Sequence, residues 1–387
     1  MKKDYNLLIL GFFNNVYIAN LVKNLKRVNP DAHIYYWGYR GNTLNEIGQA
    51  YKRYCDECYF HEDRRRFANI PVLRKVESIY LYRKGFKKFV RFKHFDVVNI
   101  HFALYKYVFI IDVLKRVSSK IVISPWGSDV FYVKGFSKFL LRILYAEADF
   151  VTVKRETAFG NECLKKFCFS PNKLYPFTYF GSETIDYILE NINIINNRRA
   201  KELLGFEDSY IITCGYKGEP GQQHIKIIEA INQVRKQLPE NLLLFFPFTY
   251  GGTVEYKQSV KHMVNEYHLN AVFFEEFVGV EKLFLIRRAT DMYIHTLIDD
   301  AGGASLKEYL LCTPKVIKGG WLLFNDLDSD ENSPYFITNT MEDLGQSIAH
   351  AFNAAPIVYS ESVQGVLEKK GWKSAINTWD EFYSKIS

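Results

Sequence analysis

The sequence predicts an α/β protein built as two doubly wound parallel sheets. The chain has 387 residues, more than one ordinary core holds. Short continuous apolar runs alternate with helical patterns through both halves, as they do when strands are buried on both faces. The series starts twice, at Asn6-Leu7-Leu8-Ile9-Leu10 and at Tyr210-Ile211-Ile212-Thr213-Cys214.

In the first half, Leu7 to Leu10 reads as a strand and Val16 to Leu25 as a helix. Ala32 to Trp37 is a second strand, broken at Gly38, and a basic helical region follows. Val97 to His101 is a strand, Val108 to Val117 a helix, and Lys120 to Ser124 a strand ending at Pro125-Trp126-Gly127-Ser128-Asp129. A helix over Ser137 to Ala146 leads to the strand Phe150 to Val153. From about Asp186 the composition turns polar, with Asn191, Asn193, Asn196 and Asn197 before Arg198-Arg199, and an interdomain linker is expected there.

The second series begins with the strand Tyr210 to Gly215, the helix His224 to Leu238 and the strand Leu242 to Pro247. The helix Val254 to Tyr267, the strand Val272 to Phe274, the helix Val280 to Arg288 and the strand Met292 to Thr296 follow. The expected domains are 1–187 and 188–365, with a closing segment 366–387. In that segment Ala375 to Ile386 is an amphipathic helix carrying Ile376, Trp379, Phe382 and Tyr383, expected to pack back toward the first domain. Neither half has Gly-x-Gly-x-x-Gly, which argues against a dinucleotide dehydrogenase.

Composition is globular, with 48% hydrophobic and 24% charged residues. No apolar run approaches the roughly 20 residues that span a bilayer. The first apolar run is too short for a signal-peptide core and no small-residue cleavage site follows, so the protein is expected in the cytoplasm. Six cysteines do not make a disulfide framework. Cys55-x-x-Cys58 and Cys163-x4-Cys168 have the letters of a four-thiolate zinc site, but the second spacing is poor, and ordinary reduced thiols are expected. The net charge of +7 is concentrated: residues 61–95 hold eleven Lys or Arg against Glu62, Asp63 and Glu77. Phe67, Tyr80, Tyr82, Phe86, Phe89 and Phe92 are interleaved among them. An anionic membrane surface, at about 1 kcal/mol per nearby cation, is the expected partner, rather than nucleic acid. The plain alternative is a solvated helix whose aromatics face the core.

The window Asp300-Ala301-Gly302-Gly303-Ala304-Ser305-Leu306-Lys307-Glu308 carries most of the chemistry. It follows Met292-Tyr293-Ile294-His295 and opens a helix, Ser305 to Cys312, before Thr313-Pro314 and a strand at Lys315-Val316-Ile317. Gly302 and Gly303 let backbone approach a phosphate, and the amides of Ala304 and Ser305 point at it. Glu308, about one turn into the helix, can accept hydrogen bonds from two sugar hydroxyls. Together these suit a ribose followed by a diphosphate. Lys217, in the strand-to-helix loop Cys214 to His224, supplies positive charge. Tyr250-Gly251-Gly252 lines the nucleotide pocket, His224 contacts phosphate or base, and His295 ends the preceding strand. His101 ends a buried strand where open α/β sheets bind ligands. Asp326-Leu327-Asp328-Ser329-Asp330 has the letters of a metal motif but reads as a solvated loop.

Two unequal Rossmann-like domains with such a site in the second resemble a GT-B glycosyltransferase whose domains face each other across a cleft. The window is similar to that of the GT4-like group, with two acids separated by seven residues, here Asp300 and Glu308. Cys312-Thr313-Pro314-Lys315-Val316-Ile317 stands in place of Cys-Gly-x-Pro-Val-Ile. Asp299-Asp300 replaces the group's first Glu, Tyr216 its Arg, and Trp126 the His of His-Gly-Ser-Asp. The loop Gly215-Tyr216-Lys217-Gly218-Glu219-Pro220, with Pro247-Phe248-Thr249-Tyr250-Gly251-Gly252, looks closer to a bacterial 4-acetamido-fucosyl transferase branch acting on lipid-linked acceptors.

The resemblance implies sugar transfer from a nucleotide-sugar to a lipid-linked or growing glycan acceptor in bacterial surface polysaccharide assembly, at the inner membrane face. No cofactor and no metal are implied: Lys217 and the amides of 302–305 carry the diphosphate charge. His101 contacts the donor sugar or acts as base, with Asp129 the rival base. Two other functions fit the same residues. One is a GT-B sugar-nucleotide epimerase. The other is a non-catalytic scaffold binding a membrane or polyanion.

Overall fold

The computed structural model describes residues 4–12, 15–39, 46–62, 70–153, 158–175, 180–300, 303–324, 326–328, 333–358 and 360–387. Gly302, the Arg64-Arg65-Arg66 run, Phe67 and Asp330 lie outside them. The chain divides into two compact units, Met1–Phe180 with Lys373–Ser387, and Gly181–Trp372.

The first unit has strands β1 (Asn6–Phe12), β2 (His33–Tyr39), β3 (Glu57–His61), β4 (Phe95–His101), β5 (Ser118–Ser124), β6 (Phe150–Thr152) and β7 (Leu174–Tyr175). They form one sheet in the order β3-β2-β1-β4-β5-β6-β7, every pairing parallel. Leu8, Leu10, Val98, Ile100, Ile121 and Ile123 are fully or almost fully buried, because helices cover both faces of a parallel sheet. The second unit has β8 (Tyr210–Cys214), β9 (Leu242–Phe246), β10 (Ala271–Phe273), β11 (Met292–His295), β12 (Lys315–Gly319) and β13 (Phe336–Thr338), ordered β10-β9-β8-β11-β12-β13 and again parallel. In both sheets the chain winds outward from the first strand and then returns to its other side. The switch points, where open α/β sheets bind their ligands, are therefore β1/β4 in one unit and β8/β11 in the other.

Every expected strand is present. The three the sequence did not mark, β3, β7 and β13, all lie at or beside sheet edges. The polar run expected as a linker instead folds as two helices, Glu183–Asn191 and Asn197–Leu204, packed on the helix Val280–Ala289. Its asparagines do local work: Asn196 caps the second helix through Arg199 N at 2.9 Å, and Asn197 Nδ2 donates to the Arg288 carbonyl at 3.0 Å.

The last helix, Trp372–Ile386, contributes its residues from Lys373 onward to the first unit. Its anchors are polar as well as aromatic. Tyr5 Oη and Asn29 Nδ2 both donate to Asp380 Oδ1, at 3.1 and 3.0 Å. A buried chain runs from Thr152 Oγ1 to Ser124 Oγ (2.8 Å), from Ser124 Oγ to Asn99 Oδ1 (2.9 Å), and from Asn99 Nδ2 to Tyr383 Oη (2.8 Å). The aromatics of the basic region split in two. Tyr82, Phe86 and Phe89 enter the core, while Tyr80 and Phe92 are exposed. No helix of the described residues is long and apolar enough to cross a membrane.

Candidate functional site

In the second unit three loops follow the carboxyl ends of β8, β9 and β11. Two of them are tied at the switch point: Gln223 Nε2 donates to the Thr296 carbonyl at 2.6 Å, and Ile298 N to the Gly221 carbonyl at 3.0 Å. The β9 loop joins through Gly218 N, which donates to the Tyr250 carbonyl at 2.9 Å. Gly252 (φ +72°) packs so close that a Cβ there would fall on the Gly218 carbonyl. Tyr250 is exposed at the rim of this loop.

The window 300–308 shapes itself. Asp300 Oδ1 accepts from Gly303 N at 3.1 Å, and Asp300 Oδ2 lies 3.1 Å from His295 Nε2. His295 Nδ1 is 2.8 Å from Tyr293 Oη. Asp300 thus holds the amide at the start of the helix Ala304–Cys312, with Gly303 as N-cap in the left-handed region at φ +58°. A Cβ on Gly303 would press on the Phe324 ring at 2.8 Å. The ring of Tyr216 lies parallel to His295, 6.2 Å away, and Lys217 Nζ sits 5.7 Å from the Tyr216 ring. Lys217 pairs with Glu219 at 2.6 Å.

Glu308 is buried and firmly held. Arg287 donates Nε and Nη2 to its Oε2, each at 2.6 Å, and Ser182 Oγ donates to Oε1 at 2.8 Å. A carboxylate offers about four acceptor positions, so one on Oε1 is left for a hydroxyl. Arg287 in turn lies 4.9 Å over the Tyr309 ring, which stacks on Tyr293 at 3.6 Å. Burial alone would lower the Arg287 pKa; the Glu308 carboxylate more than reverses this and raises it. Neither Arg287 nor Ser182 was marked in the sequence, being remote from Glu308 along the chain.

His224 is buried, 3.1 Å from Tyr256 Oη through Nδ1, and burial pushes its pKa down to about 3. His224 Nε2, Gln222 Nε2 and Thr296 Oγ1 are buried with no hydrogen-bond partner among the described residues. Two of the acids expected to form a solvated loop, Asp326 and Asp328, are instead paired. Asp326 bridges Lys307 (3.1 Å) and Lys370 (2.8 Å). Asp328 pairs with Lys318 at 3.1 Å and accepts from Phe324 N at 2.6 Å. Lysines stand where a cation would have to sit, which fits a metal poorly.

In the first unit His101 ends β4 at the β1/β4 switch point. It is fully buried among Phe180, Trp379 and Trp126, with ring centroids 5.6, 5.5 and 6.3 Å away. Neither ring nitrogen has a hydrogen-bond partner among the described residues, and burial pushes its pKa down to about 3, so the imidazole is neutral at ordinary pH. Asp129 is engaged differently. Its Oδ1 accepts from Trp126 N (2.8 Å) and Gly127 N (3.0 Å), and its Oδ2 from Ala103 N (2.9 Å). Burial raises its pKa against those three amides. The carboxylate clips the loop after β4 to the loop after β5.

Two parallel-sheet units of this build make up the GT-B fold, and the chain has it. No family model matches the sequence. An uncharacterized glycosyltransferase of Methanocaldococcus jannaschii is 23% identical over 258 residues, which cover 65% of this chain and 62% of that relative. The match thus spans less than two thirds of the relative's length. A glycosyltransferase from Rickettsia africae superposes with a TM-score of 0.73 at 14% identity, covering 99% of each chain. HepE of Anabaena, solved with UDP and glucose, superposes with a TM-score of 0.65 at 12% identity, covering 98% of this chain and 100% of that one.

Proposed function

We propose that the protein is a glycosyltransferase drawing on a nucleoside-diphosphate sugar, with UDP-sugars the first candidates. The observation that carries this is Glu308, held by Arg287 and Ser182 with one acceptor position left, one turn behind the Gly303 helix start. One ribose hydroxyl on that remaining position, rather than the two expected from the sequence, sets the diphosphate toward the amides of Ala304 and Ser305 and the charge of Lys217. Departure of the diphosphate builds negative charge, which these groups stabilise without a metal. The unpartnered Gln222, His224 and Thr296 atoms support the reading, since buried polar atoms normally have partners. The likeness to an archaeal glycosyltransferase and to a UDP-binding Anabaena structure supports it too.

In this reading Asp300 and His295 hold the donor loop, and Tyr250 with Gly251 borders the nucleotide. His101, neutral and unpartnered, is available as hydrogen-bond partner or base, while Asp129 positions its loop. The acceptor is a lipid-linked or growing glycan in bacterial surface polysaccharide assembly, approached from the cytoplasm with the helix Pro71–Phe89 against the membrane. The fucosaminyl-type branch is the finer likeness carried by the 215–220 loop.

The test is donor hydrolysis and thermal shift across UDP-, GDP- and dTDP-sugars. Turnover without acceptor that returns an isomerised donor points to an epimerase. No turnover and no shift with any nucleotide sinks the proposal and leaves the scaffold reading.

A further inference from the structure

We propose that the helix Gly135–Glu147, with the turn before it, docks on an anionic lipid bilayer. This extends the proposed work at a membrane to a second element of the first unit. The helix is apolar on two faces. Leu140, Leu141, Leu144 and Tyr145 face the core, while Phe136 is 71% and Phe139 57% exposed, with Ile143 also exposed. Phe136, Phe139 and Ile143 recur at helical spacing and line one face. In the preceding turn Tyr132 is 70% exposed and Phe131 is exposed beside it. The Phe136 and Phe139 rings lie against each other with centroids 6.3 Å apart.

Between Asp129 and Glu147 the sequence has no acid but has Lys134, Lys138 and Arg142. Lys134 and Lys138 make no ion pair among the described residues. Arg142 Nε and Lys166 Nζ are spent on the Lys166 and Phe131 carbonyls, at 3.0 and 2.8 Å, which fixes the turn against the neighbouring helix Ala158–Phe167. The helix Pro71–Phe89 packs on the same 3-10 segment, Tyr105–Ile110, as does the helix Gly135–Glu147. It exposes Val72, Val76 and Tyr80 at a four-residue spacing.

Exposed aromatics gathered on one helix face and the turn before it call for a partner. A second copy of the chain would bring like charges together across the contact, and protein interfaces are depleted in lysine. Aromatic rings among unpaired lysines fit the boundary between headgroups and acyl chains, where rings bury and ammonium groups meet phosphate.

The test is flotation of the full chain with vesicles of phosphatidylcholine, alone and mixed with phosphatidylglycerol, without nucleotide or acceptor. Wild type is expected to float with the mixed vesicles. Phe136→Ser with Phe139→Ser lowers partitioning about tenfold or more. Lys134→Gln with Lys138→Gln lowers it about thirtyfold on mixed vesicles and far less on phosphatidylcholine alone. The lysine pair keeps the test decisive if the phenylalanine variant fails to fold. Lipid-free donor hydrolysis is unchanged in both, so loss of that activity in wild type counts against the enzyme reading alone. No flotation of wild type, equal flotation of the variants, or loss instead of a concentration-dependent dimer in sedimentation overturns the proposal.

Discussion

Removing Arg287 tests how the candidate donor carboxylate is held. In Arg287→Met the side-chain volume stays similar, but Glu308 loses both contacts to its Oε2, each 2.6 Å long, and keeps only Ser182. A buried charge stripped of its partner costs about 3–5 kcal/mol. Arg287→Met should therefore lower the unfolding free energy from urea titration by that amount, seen as a lower midpoint at an unchanged m-value. Replacing both partners, as Arg287→Met with Glu308→Leu, removes the unpaired charge and should recover most of the loss. The double variant should nevertheless show no thermal shift with any nucleotide. Glu308→Gln keeps the size and one acceptor oxygen but loses the charge-assisted bond, worth about 1.5–3 kcal/mol, or one to two decades in kcat/KM. The reasoning is refuted if Arg287→Met lies within about 1 kcal/mol of wild type, or if the double variant is no more stable than the single one.

Three further outcomes are expected. Asp129→Asn puts an amide NH2 against one of the three backbone amides that Asp129 accepts, and should cost about 1.5–3 kcal/mol in urea unfolding without the total loss expected of a missing base. His101 and His224, with pKa values pushed from 6.5 to about 3, bind protons in the unfolded chain but not in the folded one once pH drops below 6.5. Stability should therefore fall on acidification through that window, by about 2 kcal/mol per histidine at pH 5, and His224→Gln should flatten the slope measured by urea titration across pH. Gly303→Ala forces a Cβ into left-handed backbone, at about 1–2 kcal/mol, and onto the Phe324 ring. A raised KM for the donor at nearly unchanged kcat would show the loop retreating from the phosphate.

The central strands were legible because they are buried on both faces and so read as continuous apolar runs. The edge strand β3, with only His61 fully buried, carries no such run, and β7 is two residues long. The helices of 183–204 were hidden because asparagine is at once a loop residue and an N-cap, and only the capped amide decides which. In the site, the glycine turn and Glu308 were legible because their spacing is local. Arg287 and Ser182 were not, because their partnership with Glu308 exists only once the helices Val280–Ala289, Glu183–Asn191 and Ala304–Cys312 are packed. The same holds for Asp129, whose motif is visible although the amide it takes from Ala103 is not.

Because the first unit takes Lys373–Ser387 as well as Met1–Phe180, its parts reach the ribosomal exit far apart in time. Asn99 must wait for Tyr383, and Tyr5 and Asn29 for Asp380, while all of 181–372 is synthesised. During that interval the nascent first unit has polar groups on β4 and near β1 whose partners on the last helix are still missing. A stalled or clipped chain that ends before Trp379 would carry a whole second unit beside an unfinished first one, with His101 stripped of one wall of its aromatic cage.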